Sequence, residues 1–143
     1  MPDNTAFSGA KIALLCGAGV VSILRDDRPG IPWPGHWDLP GGGREGDETP
    51  TACALRETME ELGLALTPGQ IIWSRRYTSA LPGQTPTWFF VAPLAPSALE
   101  TIRFGDEGQG WRLIPVADFL QLPTAIPHLR ARLADYMSST SPD

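Results

Sequence analysis

The helix pattern between residues 49 and 63 constrains this 143-residue chain more than any other feature of its sequence. Thr49 is a favourable N-cap, Pro50 suits the first helical position, and Gly63 favours a left-handed stop at the C-terminus. No glycine or proline lies between Pro50 and Gly63. The sequence therefore predicts a helix over residues 50–62, behind a turn formed by the three glycines at 41–43.

The predicted helix concentrates acidic side chains on one of its sides. With about 100° between successive residues, Glu57, Glu60 and Glu61 lie within about 100° of one another. Small and apolar side chains are expected to form the packing face opposite them: Thr51, Leu55, Met59 and Leu62. Like charges at this spacing repel, and hard divalent cations bind carboxylate oxygens, so the triad indicates a metal site. A solvated acidic face is the alternative.

The glutamates are part of a longer pattern. It reads Gly42, five residues, Glu48, seven residues, and then Arg56-Glu57-Thr58-Met59-Glu60-Glu61-Leu62-Gly63-Leu64. This arrangement resembles the signature box of the Nudix hydrolase family. Thr58 stands where the family usually has a bulky aliphatic residue, and this departure affects packing rather than the metal-binding carboxylates.

The resemblance implies both a fold and a reaction. The fold is an α/β/α sandwich, in which a mixed sheet carries a loop-helix-loop motif at 41–64 on one face and a C-terminal helix on the other. The reaction is hydrolysis of the pyrophosphate bond in a nucleoside diphosphate linked to another group, as in nucleoside triphosphates, ADP-ribose and nucleotide sugars. A non-catalytic sensor of nucleotide ligands on the same fold is the alternative.

The resemblance also implies Mg²⁺ or Mn²⁺ as the cofactor. Carboxylates and one backbone carbonyl would bind the cation: Glu57, Glu60, Glu61 and either Gly41 or Gly42. The cation would neutralise the diphosphate and lower the pKa of the attacking water. Arg56 and Glu48 would form the ion pair that holds the loop against the helix.

The general base has two candidates. Some members of the family use a glutamate of the box, and others use a loop carboxylate that precedes a tryptophan-containing segment. Glu107 fits the second position because it lies in a glycine-rich loop shortly before Trp111. Glu57 is the alternative base, and an ordinary polar loop is the alternative interpretation of Asp106 and Glu107.

The residues that bind the substrate are less clearly marked. Trp33 lies in a loop rich in proline and glycine, where its ring could stack on a base. Four arginines are candidates for contacts with phosphate or ribose: Arg25, Arg44, Arg75 and Arg76. We select Trp33, Arg44 and Arg75 as the predicted substrate-binding residues.

The remaining elements form an alternating pattern around the predicted helix. Strands are expected at residues 10–16 and 20–25, at 71–79 and 87–94, and at 111–115. The segment 81–86 is expected to turn between the third and fourth of these strands, and residues 26–37 to form an irregular loop. Helical spacing from Ile126 to Met137 predicts the C-terminal helix.

Composition limits the partners of the chain. A formal net charge of −5 argues against duplex nucleic acid, which needs a broad basic face, but allows a small nucleotide bound through a cation and arginines. The sequence contains no apolar run of about eighteen residues and no secretory signal, so we expect no membrane partner and a cytoplasmic protein. We expect residues 1–143 to form a single domain. The resemblance leaves a homodimer open.

Overall fold

The computed structural model describes residues 6–78 and 85–140, and this part of the chain contains one seven-stranded mixed sheet. The strands, numbered in chain order, are β1 (Gly9–Cys16), β2 (Gly19–Leu24), β3 (Trp37–Asp38), β4 (Gly41–Gly43), β5 (Trp73–Tyr77), β6 (Thr87–Pro93) and β7 (Gly110–Pro115). The predicted strand at 71–79 is shorter than expected, and its last residue, Ser79, lies outside the described residues. Residues 81–84 of the predicted turn also lie outside the described residues.

Within these described residues, two long helices and two short ones pack on the sheet. They are α1 (Pro50–Leu62), α2 (Pro96–Leu99), α3 (Val116–Phe119) and α4 (Pro127–Thr140), and a 3₁₀ turn lies at Pro68–Gln70. Over the described ranges, no helix combines the length and the apolar character needed to cross a membrane. Helix α4 lies where the helical spacing from Ile126 to Met137 predicts a C-terminal helix.

The sheet divides at β1. Its path runs β3-β2-β1-β6-β5, and β1 pairs with β6 in parallel and with its other neighbours antiparallel. The second half of β1 pairs with β2, whereas its first half pairs with β4, so that Lys11 faces Gly41. The glycines at 41–43 are therefore a short strand, and our prediction of a glycine turn there is wrong. The pairing places the glycines at the fork between β1 and β2.

Alternation along β1 separates two hydrophobic cores. Ile12 and Leu14 face a core that includes Leu62 of α1, and Ala13 faces a second core that includes Leu129 of α4. Each of these side chains is fully buried. Successive strand residues point to opposite faces, so one strand can support a helix layer on each side. The expected α/β/α sandwich is confirmed.

The capping residues of α1 act as predicted. The Thr49 hydroxyl accepts a hydrogen bond from the amide of Ala52 at 3.1 Å. Gly63 adopts a left-handed conformation with φ of 68°, and its amide donates to the Met59 carbonyl. These contacts satisfy backbone groups that the helix itself leaves unpaired. The helix boundaries thus follow from local sequence alone.

The predicted packing face of α1 is wrong in its orientation. Met59, which we expected to pack inward, is 47% exposed, whereas Thr58 is fully buried. The buried side consists of Cys53, Ala54, Thr58 and Leu62. Small residues let the helix approach the sheet closely. The buried Thr58 hydroxyl has a hydrogen-bond partner because it donates to the Ala54 carbonyl at 2.8 Å. This rotation turns the glutamate side of α1 toward the sheet fork.

Two glycines of β4 provide a matched test of this geometry. A Cβ atom on Gly41 would lie 2.1 Å from the Ala10 carbonyl oxygen, and Gly41 has φ of 133°. A Cβ atom on Gly43 would have no neighbour closer than 3.9 Å. We expect Gly41→Ala to lower the free energy of unfolding by at least about 2 kcal/mol. Gly43→Ala should change it by about 0.5 kcal/mol or less.

Urea denaturation monitored by circular dichroism measures both values. Equal effects of the two substitutions would contradict the proposed close approach of β4 to β1.

Candidate active site

Arg56 joins the loop before α1 to the helix itself. Its Nε donates to Glu48 Oε2 at 2.6 Å, and its Nη2 donates to Glu48 Oε1 at 3.1 Å. Nη2 also donates to the Gly43 carbonyl at 2.9 Å. The first two contacts form a bidentate pair, the strongest arrangement between guanidinium and carboxylate. The ion pair expected between Arg56 and Glu48 is therefore present, and Arg56 holds the pKa of the Glu48 carboxyl below its usual value.

The remaining nitrogen of the guanidinium, Nη1, faces further carboxylates. Nη1 lies 3.2 Å from Glu57 Oε2, 3.0 Å from Glu60 Oε2 and 3.2 Å from Glu45 Oε2. The contact with Glu45 was not predicted, because an exposed loop glutamate has no distinguishing sequence signal. Four carboxylates thus surround the Arg56 guanidinium. The hydrogen bond with Glu48, followed by the contacts with Glu60 and Glu57, raises the pKa of Arg56.

Glu57 lies against the backbone of β4. A Cβ atom on Gly42 would be 2.6 Å from Glu57 Oε2, so the glycine leaves the space that this carboxylate occupies. Burial raises the pKa of Glu57, and the neighbouring charge of Arg56 opposes that effect. A side chain at position 42 would therefore displace this carboxylate.

Glu61 is the most deeply placed of the three glutamates. Its Oε1 accepts a hydrogen bond from the Gly41 amide at 2.8 Å. Burial raises the pKa of the Glu61 carboxyl to about 7, and the bond from Gly41 opposes this. A carboxylate in such a position is stabilised by a nearby cation. Both Glu60 and Glu61 also lie in the last turn of α1, where the helix dipole disfavours negative charge.

Two neighbouring clefts share Glu61 and Glu107. The first has a volume of about 210 Å³ and acidic walls: Glu57, Glu60, Glu61, Asp106 and Glu107, with Gly105. The second has a volume of about 120 Å³ and combines two arginines with four carboxylates: Ile23, Arg25, Asp26, Arg28, Ile31, Asp38, Glu61, Glu107 and Gly108. The shared residues make the two clefts adjoin. The carboxylates suit cations, and Arg25 and Arg28 add donors for phosphate oxygens in the second cleft.

The loop that carries Glu107 is anchored at both ends. The Gly105 amide donates to the Glu61 carbonyl at 2.9 Å, and a Cβ atom on Gly105 would lie 2.6 Å from the Glu60 carbonyl oxygen. Beyond Glu107, the Gln109 amide donates to the Leu24 carbonyl at 2.8 Å. The loop therefore bridges the C-terminus of α1 and the end of β2, which places Glu107 beside the box glutamates.

Comparison with known proteins identifies the family. The model of the NUDIX domain matches residues 9–136, which is nearly the whole described chain. The chain belongs to the Nudix family. The Nudix box accordingly corresponds to β4, α1 and the loop between them.

Individual relatives differ in how much of this Nudix chain they share. The RNA pyrophosphohydrolase of Acidiphilium cryptum (strain JF-5) is 41% identical over 56 residues, which are 39% of this chain and only 34% of that protein. The MutT protein of Methanosarcina mazei Go1 has a TM-score of 0.73 at 17% identity and covers 99% of this chain and 100% of its own.

A bifunctional NMN adenylyltransferase/ADP ribose pyrophosphatase of Francisella tularensis was crystallised with AMP and a Mn ion. It has a TM-score of 0.62 at 21% identity, over 92% of this chain and 38% of that one. At such identities the solved structures show the fold.

The donor set of the Nudix box fits a hard divalent cation. Carboxylate oxygens of Glu57, Glu60 and Glu61 border one cleft, and Mg²⁺ and Mn²⁺ prefer such oxygen ligands. Among residues 6–78 and 85–140, no three acidic, histidine or cysteine side chains already form a cluster able to hold a metal ion. Arg56 and the Gly41 amide hold the three glutamates instead. Cation binding therefore requires these carboxylates to exchange protein contacts for metal contacts.

The predicted substrate-binding residues do not come together. Trp33 is 41% exposed, adopts a positive φ of 51°, and contacts the ring of His36 edge-on at 5.3 Å between centroids. Arg44 donates to the Glu48 carbonyl at 3.1 Å and lies over the ring of Phe7.

Arg75 lies on β5, at the edge of the sheet remote from β3. Its guanidinium is 3.6 Å from Asp135 of α4, on the face opposite α1. It therefore does not line either cleft.

Lys11 and Asp38 are functional candidates that the sequence interpretation missed. Lys11 Nζ donates to Asp38 Oδ2 at 3.1 Å, and Asp38 is only 4% exposed. Asp38 lines the second cleft together with Glu61. One signal was available: Lys11 is the only lysine in the sequence, and it lies within an otherwise apolar strand.

The geometry of Arg56 can be tested by a substitution that keeps its charge. Lysine cannot reproduce the bidentate contact with Glu48, so we expect Arg56→Lys to lower the free energy of unfolding by about 1–3 kcal/mol. Arg130 of α4, whose Nε donates to the Ala125 carbonyl, is a matched control outside the box. Arg130→Lys should cost less than about 1 kcal/mol.

Urea denaturation in the absence of divalent cations measures these differences. The role of Arg56 as the clamp of the box is wrong if the two variants are equally stable.

Proposed function

We propose that this Nudix protein uses Mg²⁺ or Mn²⁺ to hydrolyse the pyrophosphate bond of a nucleoside diphosphate linked to another group. One observation carries the proposal: the cleft lined by the box glutamates adjoins a cleft that contains Arg25 and Arg28, and Glu61 and Glu107 border both. A diphosphate that spans the boundary would meet a cation on one side and Arg25 and Arg28 on the other.

The described residues divide the chemical work. A divalent cation held by Glu57, Glu60 and Glu61 would neutralise the diphosphate and lower the pKa of a water molecule. Glu107 accepts a proton from the attacking water, whose oxygen forms a new bond to phosphorus as the bridging P–O bond breaks. Arg25 and Arg28 hold phosphate oxygens on the leaving side. Arg56 and Glu48 keep the box loop in place.

The substrate class rests on charge and on similarity. The relative from Acidiphilium cryptum is named an RNA pyrophosphohydrolase, and the Francisella protein was crystallised with AMP and a Mn ion. Both names involve nucleotides with phosphate groups, which supports a nucleotide substrate here. We keep Trp33 as a proposed stacking residue because its ring is exposed on the loop that also carries Ile31 of the second cleft. Arg44 and Arg75 are left out because neither lines either cleft.

Glu60→Gln tests the metal-dependent activity. The variant keeps the shape of the side chain but removes the charge that a cation needs, so we expect kcat to fall at least about a hundredfold. Release of nucleotide with Mg²⁺ would be measured over nucleoside triphosphates, ADP-ribose, nucleotide sugars, dinucleoside polyphosphates and 5′-triphosphorylated RNA. Glu100→Gln, an exposed glutamate beyond α2, is the matched control and should retain full activity.

Failure of the wild-type protein to hydrolyse any of these compounds, together with measurable nucleotide binding, would favour the sensor instead.

Glu107→Gln tests the identity of the base. Loss of a general base lowers kcat by about 10²–10⁴, whereas KM should change little, because Glu107 is not proposed to bind the phosphates. Steady-state kinetics on the best substrate of the panel measures both constants. If Glu107→Gln is fully active and Glu57→Gln abolishes turnover while Mg²⁺ still binds, the base is Glu57.

A further inference from the structure

Lys11 makes three hydrogen bonds at the back of the box. Its Nζ donates to Asp38 Oδ2 at 3.1 Å, to the Leu39 carbonyl at 3.2 Å and to the Gly41 carbonyl at 3.1 Å. An ammonium group has three donors, so these partners use all of them. Lys11 is therefore committed to the protein and is not an unoccupied cation available to a substrate.

Both polar backbone groups of Gly41 are hydrogen-bonded. Its amide donates to Glu61 Oε1 at 2.8 Å, and its carbonyl accepts from Lys11. Backbone pairing places Lys11 directly opposite Gly41 in the ladder between β1 and β4. The carbonyl oxygen retains a second lone pair. Lys11 thereby fixes the direction of the carbonyl of a residue whose amide binds the box glutamate Glu61.

Asp38 extends this arrangement to the second cleft. Its carboxylate also accepts from Arg25 Nη1 at 3.0 Å and from the Leu39 amide at 2.7 Å. Arg25 and Asp38 both line the second cleft. A continuous set of contacts thus runs from Gly41 through Lys11 and Asp38 to Arg25, which connects the box to the second cleft.

We propose that Lys11 is a positioning residue that orients the Gly41 carbonyl toward a bound divalent cation and, through Asp38, orients Arg25 toward the substrate phosphates. This role rests on the proposed metal site. Partners that orient metal ligands from behind contribute to metal affinity even though they do not touch the metal. Lys11 acts on the ligand set in this way.

The direction in which metal affinity changes on replacing Lys11 distinguishes a positioning role from a purely electrostatic effect of its charge. A positive charge near a cation site repels the cation, so removal of Lys11 would tighten metal binding if its charge were the only effect. Loss of positioning weakens binding instead. We expect Lys11→Met to weaken the affinity for Mg²⁺ and Mn²⁺ about tenfold or more, measured by isothermal titration calorimetry. Arg130→Met removes the same charge from α4 and should leave both affinities unchanged.

An unchanged or tighter affinity in a folded Lys11→Met protein overturns the positioning role. Circular dichroism and the urea midpoint would establish that the variant is folded.

Selective labelling gives a second test that needs no substitution. Because Lys11 is the only lysine, a protein labelled with ¹³Cε-lysine has a single side-chain lysine signal. We expect this signal to shift on titration with Mg²⁺ and to reach half of its total shift at the dissociation constant found by calorimetry. Wild-type protein that binds Mg²⁺ without moving the lysine signal overturns the role of Lys11 alone. Wild-type protein that binds neither cation overturns the metal site and the role of Lys11 together.

Discussion

The guanidinium of Arg56 connects the parts of the molecule that would otherwise repel one another. Glu45 and Glu48 belong to the loop, whereas Glu57 and Glu60 belong to α1, and all four carboxylates lie within 3.2 Å of Arg56 atoms. Arg56 offsets the repulsion between the loop carboxylates and the helix carboxylates. Pairing of β4 with β1 places Gly42 against Glu57 from the other side. The rigid planar fork of arginine makes several such contacts possible at once.

The site also depends on elements distant in sequence. The loop at 103–109 bonds to the end of α1 and to β2, so Glu107 reaches the box glutamates from more than forty residues away. Its position follows from ordinary backbone hydrogen bonds rather than from any contact of its own side chain. The same principle applies to Asp38, which the two-residue strand β3 brings beside Lys11.

Local rules predicted α1 accurately because caps act over only a few residues. The orientation of the helix was missed, since hydrophobicity assigned Met59 to the core and gave no weight to the small residues Cys53 and Ala54. Three consecutive glycines look like a turn in sequence, yet pairing with β1 makes them a strand. The role of Lys11 was also not predicted, because its partners at 38–41 lie next to it only after the sheet forms. Arg75 was chosen for its charge, and nothing local reveals that it faces α4.

The parallel pairing of β1 with β6 has a consequence for the order in which the site acquires its properties. Gly9 pairs with Thr87, so the centre of the sheet closes across most of the sequence. Helix α1 can form from local contacts much earlier, whereas pairing between distant segments is slow. The newly formed helix is an ordinary hydrated acidic segment. We expect its carboxylates to lose water, and so to favour a cation, only after α1 packs on β1 and β4 and the loop at Gly105 meets the end of the helix.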